Sequence, residues 1–294
     1  MSGIVSGIDY SVLFSGGGSA GSVSSILTTL YSGATSSGTA VSTGNPILDL
    51  KLAEQNQAKD VAQEAKNPTV IRDLAAFTKG IAGAKDINTA LQNLNVLKVL
   101  LTANGLGSQV QYPALASKAL LSDPSDPKSF VNQLSNTAWK TVATTYNLAS
   151  KGLAGLQDPA VQSQIASAYE QVTWLNSLDQ ATPGLAQAIQ FKQQASKIGK
   201  VDDILGDATN RAVVTTALGI PQQIAFQDLG AQEQAITTRL DISKLKDPQF
   251  VNTLTDQYLI AMQQQNQGSS TPGLVWGFFR QAVIGNSLVV GLRG

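Results

Sequence analysis

Two stretches of the chain decide the fold, because one repeats the other. Residues 77–106 read FTKGIAGAKDINTALQNLNVLKVLLTANGL, and residues 191–220 read FKQQASKIGKVDDILGDATNRAVVTTALGI. The two have the same length and lie 114 residues apart. The matched positions are mostly apolar or glycine: Phe77 with Phe191, Ile87 with Val201, Leu91 with Leu205, Val99 with Val213, Ala103 with Ala217 and Gly105 with Gly219. An ordered recurrence of this kind indicates an internal duplication.

A second phrase recurs further along the chain. Residues 126–134 read DPKSFVNQL, and residues 247–254 read DPQFVNTL, at an offset of 120 to 121. We therefore predict two tandem, diverged helical modules, 46–155 and 156–266. A Gly/Ser/Thr-rich segment, 1–45, precedes them, and an apolar segment, 267–294, follows.

The helix start and stop signals of the sequence are typical of an all-α protein. A capping residue followed by proline predicts a helix start, because the side chain accepts from free N–H groups and proline lacks the donor that would be wasted there. Such pairs stand at Asn67-Pro68, Asp126-Pro127, Asp158-Pro159, Thr182-Pro183 and Asp247-Pro248. Glycine after a helical pattern, at Gly105 and Gly219, predicts a helix end. Alternating strand patterns are scarce, so we predict an all-α fold.

The N-terminal segment, 1–45, is of low complexity. Residues 15–44 are dominated by Ser, Gly and Thr and should be flexible when the chain is alone, because they bury too little apolar area to offset ordering. Four residues could form a short apolar face that becomes helical against a partner: Ile26, Leu27, Leu30 and Tyr31.

The C-terminal segment, 267–294, is strongly apolar. Its candidate partner-binding residues are Leu274, Trp276, Phe278, Phe279, Ile284 and Leu288. Such a segment either docks on its own domain or is buried in a partner or oligomer, with binding to a membrane surface as a third alternative. Its apolar runs are too short for a transmembrane segment, and the first residues lack the basic start of a cleaved signal.

Composition excludes much of catalysis. The chain has no His and no Cys, and 20 basic residues balance 20 acidic ones. Histidine-dependent triads, Cys/His zinc sites, haem and disulfides are excluded, and no basic field favours nucleic acid. Gly16, Gly18 and Gly21 fit a dinucleotide spacing, but no acidic residue follows at the required distance. We expect no catalytic residues, no cofactor and no metal.

The acidic residues that cluster weakly are interpreted as helix caps rather than as an acid/base pair or a cation site. They are Asp123, Asp126, Asp202, Asp203 and Asp207. Trp139 and Trp174 fall within helical periodicity, and we expect them in the core.

Residues of about 50–150 resemble the alphaproteobacterial family of proteins of unknown function numbered 1217, whose members are often encoded in flagellar gene clusters. Residues 67–73 (NPTVIRD), 77–79 (FTK) with 85–88 (KDIN), 104–106 (NGL) and above all 122–134 (SDPSDPKSFVNQL) carry the likeness. The second module matches more loosely. The resemblance implies a helical, non-enzymatic protein linked to flagellar assembly, and it brings no established catalytic residues.

Two functional hypotheses follow. The first is a structural or accessory flagellar protein that acts through protein–protein contacts or self-association and is exported without a cleaved signal, since the first residues look like those of type III export substrates. The alternative is a soluble cytoplasmic helical binding module, such as a chaperone or regulator of flagellar export.

Overall fold

The computed structural model describes residues 42–268, with side chains through 266, and every regular element in that range is a helix or a 3₁₀ turn. The prediction of an all-α fold is therefore confirmed for this part of the chain. The α-helices of the first half are α1 (Pro46–Glu64), α2 (Pro68–Ala82), α3 (Ile87–Gln92), α4 (Leu94–Ala103), α5 (Pro113–Leu120), α6 (Ala138–Tyr146), α7 (Leu148–Lys151) and α8 (Ala154–Gln157). Those of the second half are α9 (Pro159–Ala181), α10 (Leu185–Gln194), α11 (Val201–Leu205), α12 (Ala208–Ala217), α13 (Leu229–Thr237) and α14 (Pro248–Gly268).

Three of the five capping pairs begin helices as predicted. The side chain of Asn67 accepts from the Thr69 N–H at 2.9 Å, and α2 begins at Pro68. Asp158 and Asp247 cap α9 and α14 in the same way.

The other two pairs do not begin a helix. Asp126 accepts from the Lys128 N–H at 2.9 Å, but the backbone forms a turn, and a 3₁₀ turn at Phe130–Gln133 follows. Thr182 ends α9, and α10 begins only at Leu185. Asp126 therefore caps a turn, whereas the Thr182 hydroxyl donates to Asp49 and caps nothing.

Both predicted helix ends are confirmed, with the same geometry. Gly105 and Gly219 have φ of +72° and +61°, the left-handed region that glycine enters without cost. The N–H of the next residue, Leu106 or Ile220, donates to the carbonyl five positions earlier at 2.8 Å. This is the Schellman motif, which satisfies carbonyls that the helix leaves free.

The contacts divide the described chain into two compact units, 42–190 and 191–268. In the first unit α4 is the central helix and packs against α2, α3, α5 and α9. It is apolar on most of its surface, as a surrounded helix must be. Its buried residues are Val96, Leu97, Val99, Leu100, Leu101 and Ala103.

In the second unit α12 packs against α11 and α14, and α11 also contacts α13. Its core includes Phe191, Val213, Leu254 and Tyr258, all of them buried. One buried polar residue, Asn210, accepts from the Gln194 amide at 2.8 Å, so burial leaves its side-chain oxygen satisfied.

The repeat in sequence coincides with helix bounds. Helices α4 and α12 begin 114 residues apart and also end 114 residues apart, and α3 and α11 begin at the same offset. The predicted module boundary at 155–156 stays a prediction. The compact units divide at a different place, 190–191, inside α10. Helix α9, which the sequence repeat assigns to the second module, packs against α1, α2 and α4 of the first unit.

Candidate protein interface

All ten residues predicted to bind partners lie outside the described residues: Ile26, Leu27, Leu30, Tyr31, Leu274, Trp276, Phe278, Phe279, Ile284 and Leu288. They stay predictions. Trp139 and Trp174 are buried, so their expected place in the core is confirmed. Among the helices that the structure describes, none is both long and apolar enough to cross a bilayer.

The weak acidic clusters bond locally. Asp123 accepts from the Ser125 N–H and hydroxyl, and Asp203 accepts from the Gly199 N–H at 2.9 Å. Asp207 caps α12 through the Asn210 N–H, and Asp202 pairs with Lys200 at 3.1 Å. Within residues 42–268 no three acidic side chains converge as a metal site would require. These carboxylates therefore organise turns and helix starts.

One buried polar cluster has the residue types of a catalytic site. Asp73 on α2 lies within 2.5 Å of the Lys98 ammonium on α4, and Oδ2 of the same carboxylate accepts from the Tyr169 hydroxyl on α9 at 2.8 Å. Asp73 and Tyr169 are both buried. The cluster joins three helices of the first unit, α2, α4 and α9.

The electrostatics of this cluster are those of a structural link. Burial alone raises the pKa of Asp73, but the hydrogen bonds from Lys98 and Tyr169 and the charge of Lys98 outweigh it and hold that pKa below its ordinary value. Burial, with the hydrogen bond and charge of Asp73, raises the pKa of Tyr169 far above its ordinary value. A tyrosine held protonated in this way stays a donor to Asp73 near neutral pH, so the cluster fastens α2, α4 and α9 together.

The most exposed apolar side chains point to a different kind of site. We name residues 106–113 the first elbow. After the Schellman cap the chain makes a 3₁₀ turn at Gly107–Gln109, and the Val110 N–H donates to the Gly107 carbonyl at 3.3 Å. Tyr112 then stands 52% exposed at the start of α5, and neighbouring Leu94 is 58% exposed.

A shallow depression adjoins the first elbow. It measures about 700 Å³ and is lined by Leu94, Val110 and Pro113 together with Gly107, Ser108 and Gln111. None of the residues that line the depression is charged. Backbone groups are bonded within the turn: the Tyr112 N–H, for example, donates to the Gln109 carbonyl at 2.9 Å. The surface is therefore apolar and locally rigid, as a protein contact requires.

The second unit carries a similar but longer turn 114 residues later. We name residues 220–229 the second elbow. Its 3₁₀ turn spans Gln222–Phe226, and the Ile224 N–H donates to the Pro221 carbonyl at 3.1 Å, matching the bond from Val110. Phe226 stands where Tyr112 does and is 91% exposed, and Leu229 is 57% exposed.

Exposure of this extent is costly unless something covers it. Fully burying a phenylalanine side chain is worth about 1.5–3 kcal/mol. Four of the eight large apolar side chains that are exposed in residues 42–266 belong to or adjoin the elbows: Leu94, Tyr112, Phe226 and Leu229. Scattered exposed residues are ordinary, but an exposed aromatic side chain that recurs at equivalent positions, Tyr112 and Phe226, indicates contact surfaces.

Sequence reasoning missed the elbows although a signal was present. The aligned stretches stopped at Leu106 and Ile220, and the next residues, GSQVQY and PQQIAF, share an apolar residue and an aromatic at the same offset. A periodicity search alone does not find them, because neither segment is an amphipathic helix.

A solved structure is similar to the fold described here. It is a crystal structure of an Agrobacterium tumefaciens protein, determined in a structural genomics programme. The TM-score is 0.63 and the sequences are 23% identical, over 79% of this chain and 99% of that one. At this identity the likeness shows the fold alone. No curated protein sequence matches the chain.

A family match covers just over half of the chain. Residues 103–251 match the family described as "Protein of unknown function (DUF1217)". The match includes the phrase at 122–134, both elbows and most of the second unit, whereas the phrases at 67–88 lie outside it. The chain thus belongs to this family of proteins of unknown function.

Proposed function

We propose that this protein is a non-enzymatic structural or accessory component of bacterial flagellar assembly and acts through protein–protein contacts. The observation that carries the contact role is the exposed aromatic side chain at the same position of both elbows, Tyr112 and Phe226. Two equivalent surfaces on one polypeptide suit a partner built from repeated protein subunits, because the second contact then forms at a high effective concentration.

The pairing of the buried Asp73 carboxylate supports a non-enzymatic role. Its partners are Lys98 and Tyr169, and the tyrosine is held protonated. The flagellar part of the proposal rests on the resemblance carried by residues 67–134, whose family is often encoded beside flagellar genes.

Cell fractionation tests the flagellar role. An antibody to this chain, applied to cytoplasm, envelope and sheared flagella of the native host, should find the chain in the envelope or flagellar fractions. A variant that lacks residues 2–20 should stay in the cytoplasm if those residues direct export. Confinement of the full chain to the cytoplasm would contradict the structural role and favour a cytoplasmic chaperone or regulator.

A further inference from the structure

A groove between α1 and α9 has an apolar floor and a partly apolar rim. The floor is formed by Ala53, Leu178 and Leu185, which are all buried, and the rim includes Leu52 and Asn56, which are exposed. The cavity within it measures about 110 Å³. Asp60 lies at the far end and is half-buried, and this burial raises its pKa.

The N-terminal segment joins the protein at the opposite end of this groove. The carboxylate of Asp49 accepts from the Ser42 hydroxyl at 2.7 Å and from the Thr43 N–H and hydroxyl at 2.9 and 2.6 Å. The Thr182 hydroxyl donates to the same carboxylate at 2.6 Å. This buried network fixes where residue 42 lies: beside the groove, with Asp49 and Thr182 in the groove wall.

Length and composition single out one occupant. Between Asp9 and Asp49 the chain has no charged residue, and residues 26–31 (ILTTLY) concentrate four large apolar side chains among Ser, Gly, Thr and Ala. Ten residues separate Tyr31 from Ser42 and can span up to about 35 Å. The groove runs along α1 from Asp49 to Asp60, roughly 16 Å at the helical rise. The tether therefore reaches every part of the groove, at a local concentration on the order of millimolar.

We propose that residues 26–31 bind in the groove between α1 and α9 of the same chain. The four apolar side chains Ile26, Leu27, Leu30 and Tyr31 pack against the exposed Leu52 at the rim, and no charge has to be desolvated on the segment. Contact with the groove, rather than with another protein, is then the resting state of this segment. The proposal is independent of the elbows and of the flagellar role.

Paired spin labels test it on the full chain. Because the chain has no cysteine, Thr29→Cys and Ala58→Cys place one label within the segment and one on the exposed side of α1. A narrow distance distribution is expected. Leu52→Asp, on the groove rim, should replace the narrow component with a broad one, and Ile71→Asp, at an exposed position on α2, should leave it unchanged.

A second variant avoids any change to the folded unit. Ile26→Ser with Leu30→Ser should broaden the distribution as Leu52→Asp does. A broad distribution in the parent pair, or a narrow one that survives both changes, would overturn the proposal. A mixture of singly labelled Thr29→Cys and Ala58→Cys chains should show no defined distance. A defined distance there would assign the groove to a second copy and also overturn it.

Discussion

The phrase that begins at Asp126 and the phrase that begins at Asp247 have nearly the same residues and different backbones. The first forms a turn and a 3₁₀ segment, and the second begins the 21-residue helix α14. Their apolar contacts nevertheless agree, since Val131 and Val251 are both buried. The two phrases thus bury the same valine on different backbones, although Leu134 is only half-buried and Leu254 is buried.

A cation also accompanies the phenylalanine in both copies. The Lys118 ammonium lies 4.3 Å from the ring centre of Phe130, and the Lys244 ammonium lies 5.9 Å from that of Phe250. Such cation–π contacts contribute about 0.5–1 kcal/mol at exposed sites. Each ring therefore has a cationic neighbour, although the two lysines stand at different places in the sequence.

Polar side chains account for the difference. In the first copy the Asn132 amide donates to the Asp126 carbonyl at 2.7 Å and to the Pro124 carbonyl at 3.0 Å, which closes the turn. Asn136 then caps a new start before α6. In the second copy Asn252 is exposed on the helix, and Thr255 bonds to the Val251 carbonyl one turn back. Side chains that bond to the backbone compete with the helix in one copy and not in the other.

The largest expected effect concerns the apolar cores, in which the two copies agree. Phe77 and Phe191 are equivalent and fully buried, so Phe77→Ala and Phe191→Ala should each cost about 3–5 kcal/mol of unfolding free energy. Denaturant unfolding, monitored by hydrogen exchange of the α4 and α12 amides, measures the loss of unfolding free energy in each variant. A loss below about 1 kcal/mol for one of them would show that the two cores are not equivalent.

A smaller effect is specific to the first unit. Tyr169→Phe removes a hydrogen bond to a buried carboxylate and should cost about 1.5–3 kcal/mol near neutral pH. Because the pKa of Asp73 is lowered by folding, its contribution is present above its unfolded value of 3.8 and is lost as pH falls through the lower folded value. The cost of Tyr169→Phe should therefore shrink below about pH 4.

Tyr146→Phe is the matched control for that prediction. The Tyr146 hydroxyl is bonded to the neutral Asn104 amide at 3.1 Å, so its removal should cost about 0.5–1.5 kcal/mol with no dependence on pH between 3 and 7. Equal pH profiles for the two variants would contradict the charged role of Asp73. Urea unfolding at a series of pH values provides the comparison.

The smallest effect tests the polar explanation of the two phrases. Asn132→Ala removes the amide that donates to the Pro124 and Asp126 carbonyls and should cost about 1 kcal/mol. Asn252→Ala, at an exposed helical position, should be neutral or stabilising by up to about 0.5 kcal/mol, because alanine is the better helix former. Thermal unfolding of both variants measures the two changes in unfolding free energy. An equal loss of stability at the two positions would show that the side chain of Asn132 does not close the turn.

Much of the fold could be predicted because its signals are local. Capping pairs such as Asn67-Pro68 and glycines such as Gly105 act within one helical turn, so the sequence carries their geometry directly. The turn at Asp126 could not be predicted, because it depends on Asn132 folding back over six residues. The elbows were missed for a related reason, since the exposure of Phe226 depends on what the surrounding helices leave uncovered.

The most direct test of the central claim is the effect of the elbows on assembly in the native host. Tyr112→Ser with Phe226→Ser removes both exposed aromatic side chains, and Ile71→Ser with Ile260→Ser removes one exposed apolar side chain from each unit elsewhere. Both double variants should unfold within about 0.5 kcal/mol of the parent, as surface changes do. The first should be depleted at least tenfold, about 1.4 kcal/mol, from the envelope and sheared-flagella fractions, and the second should fractionate like the parent. Equal recovery of the two double variants would contradict the claim that the elbows are the contact surfaces.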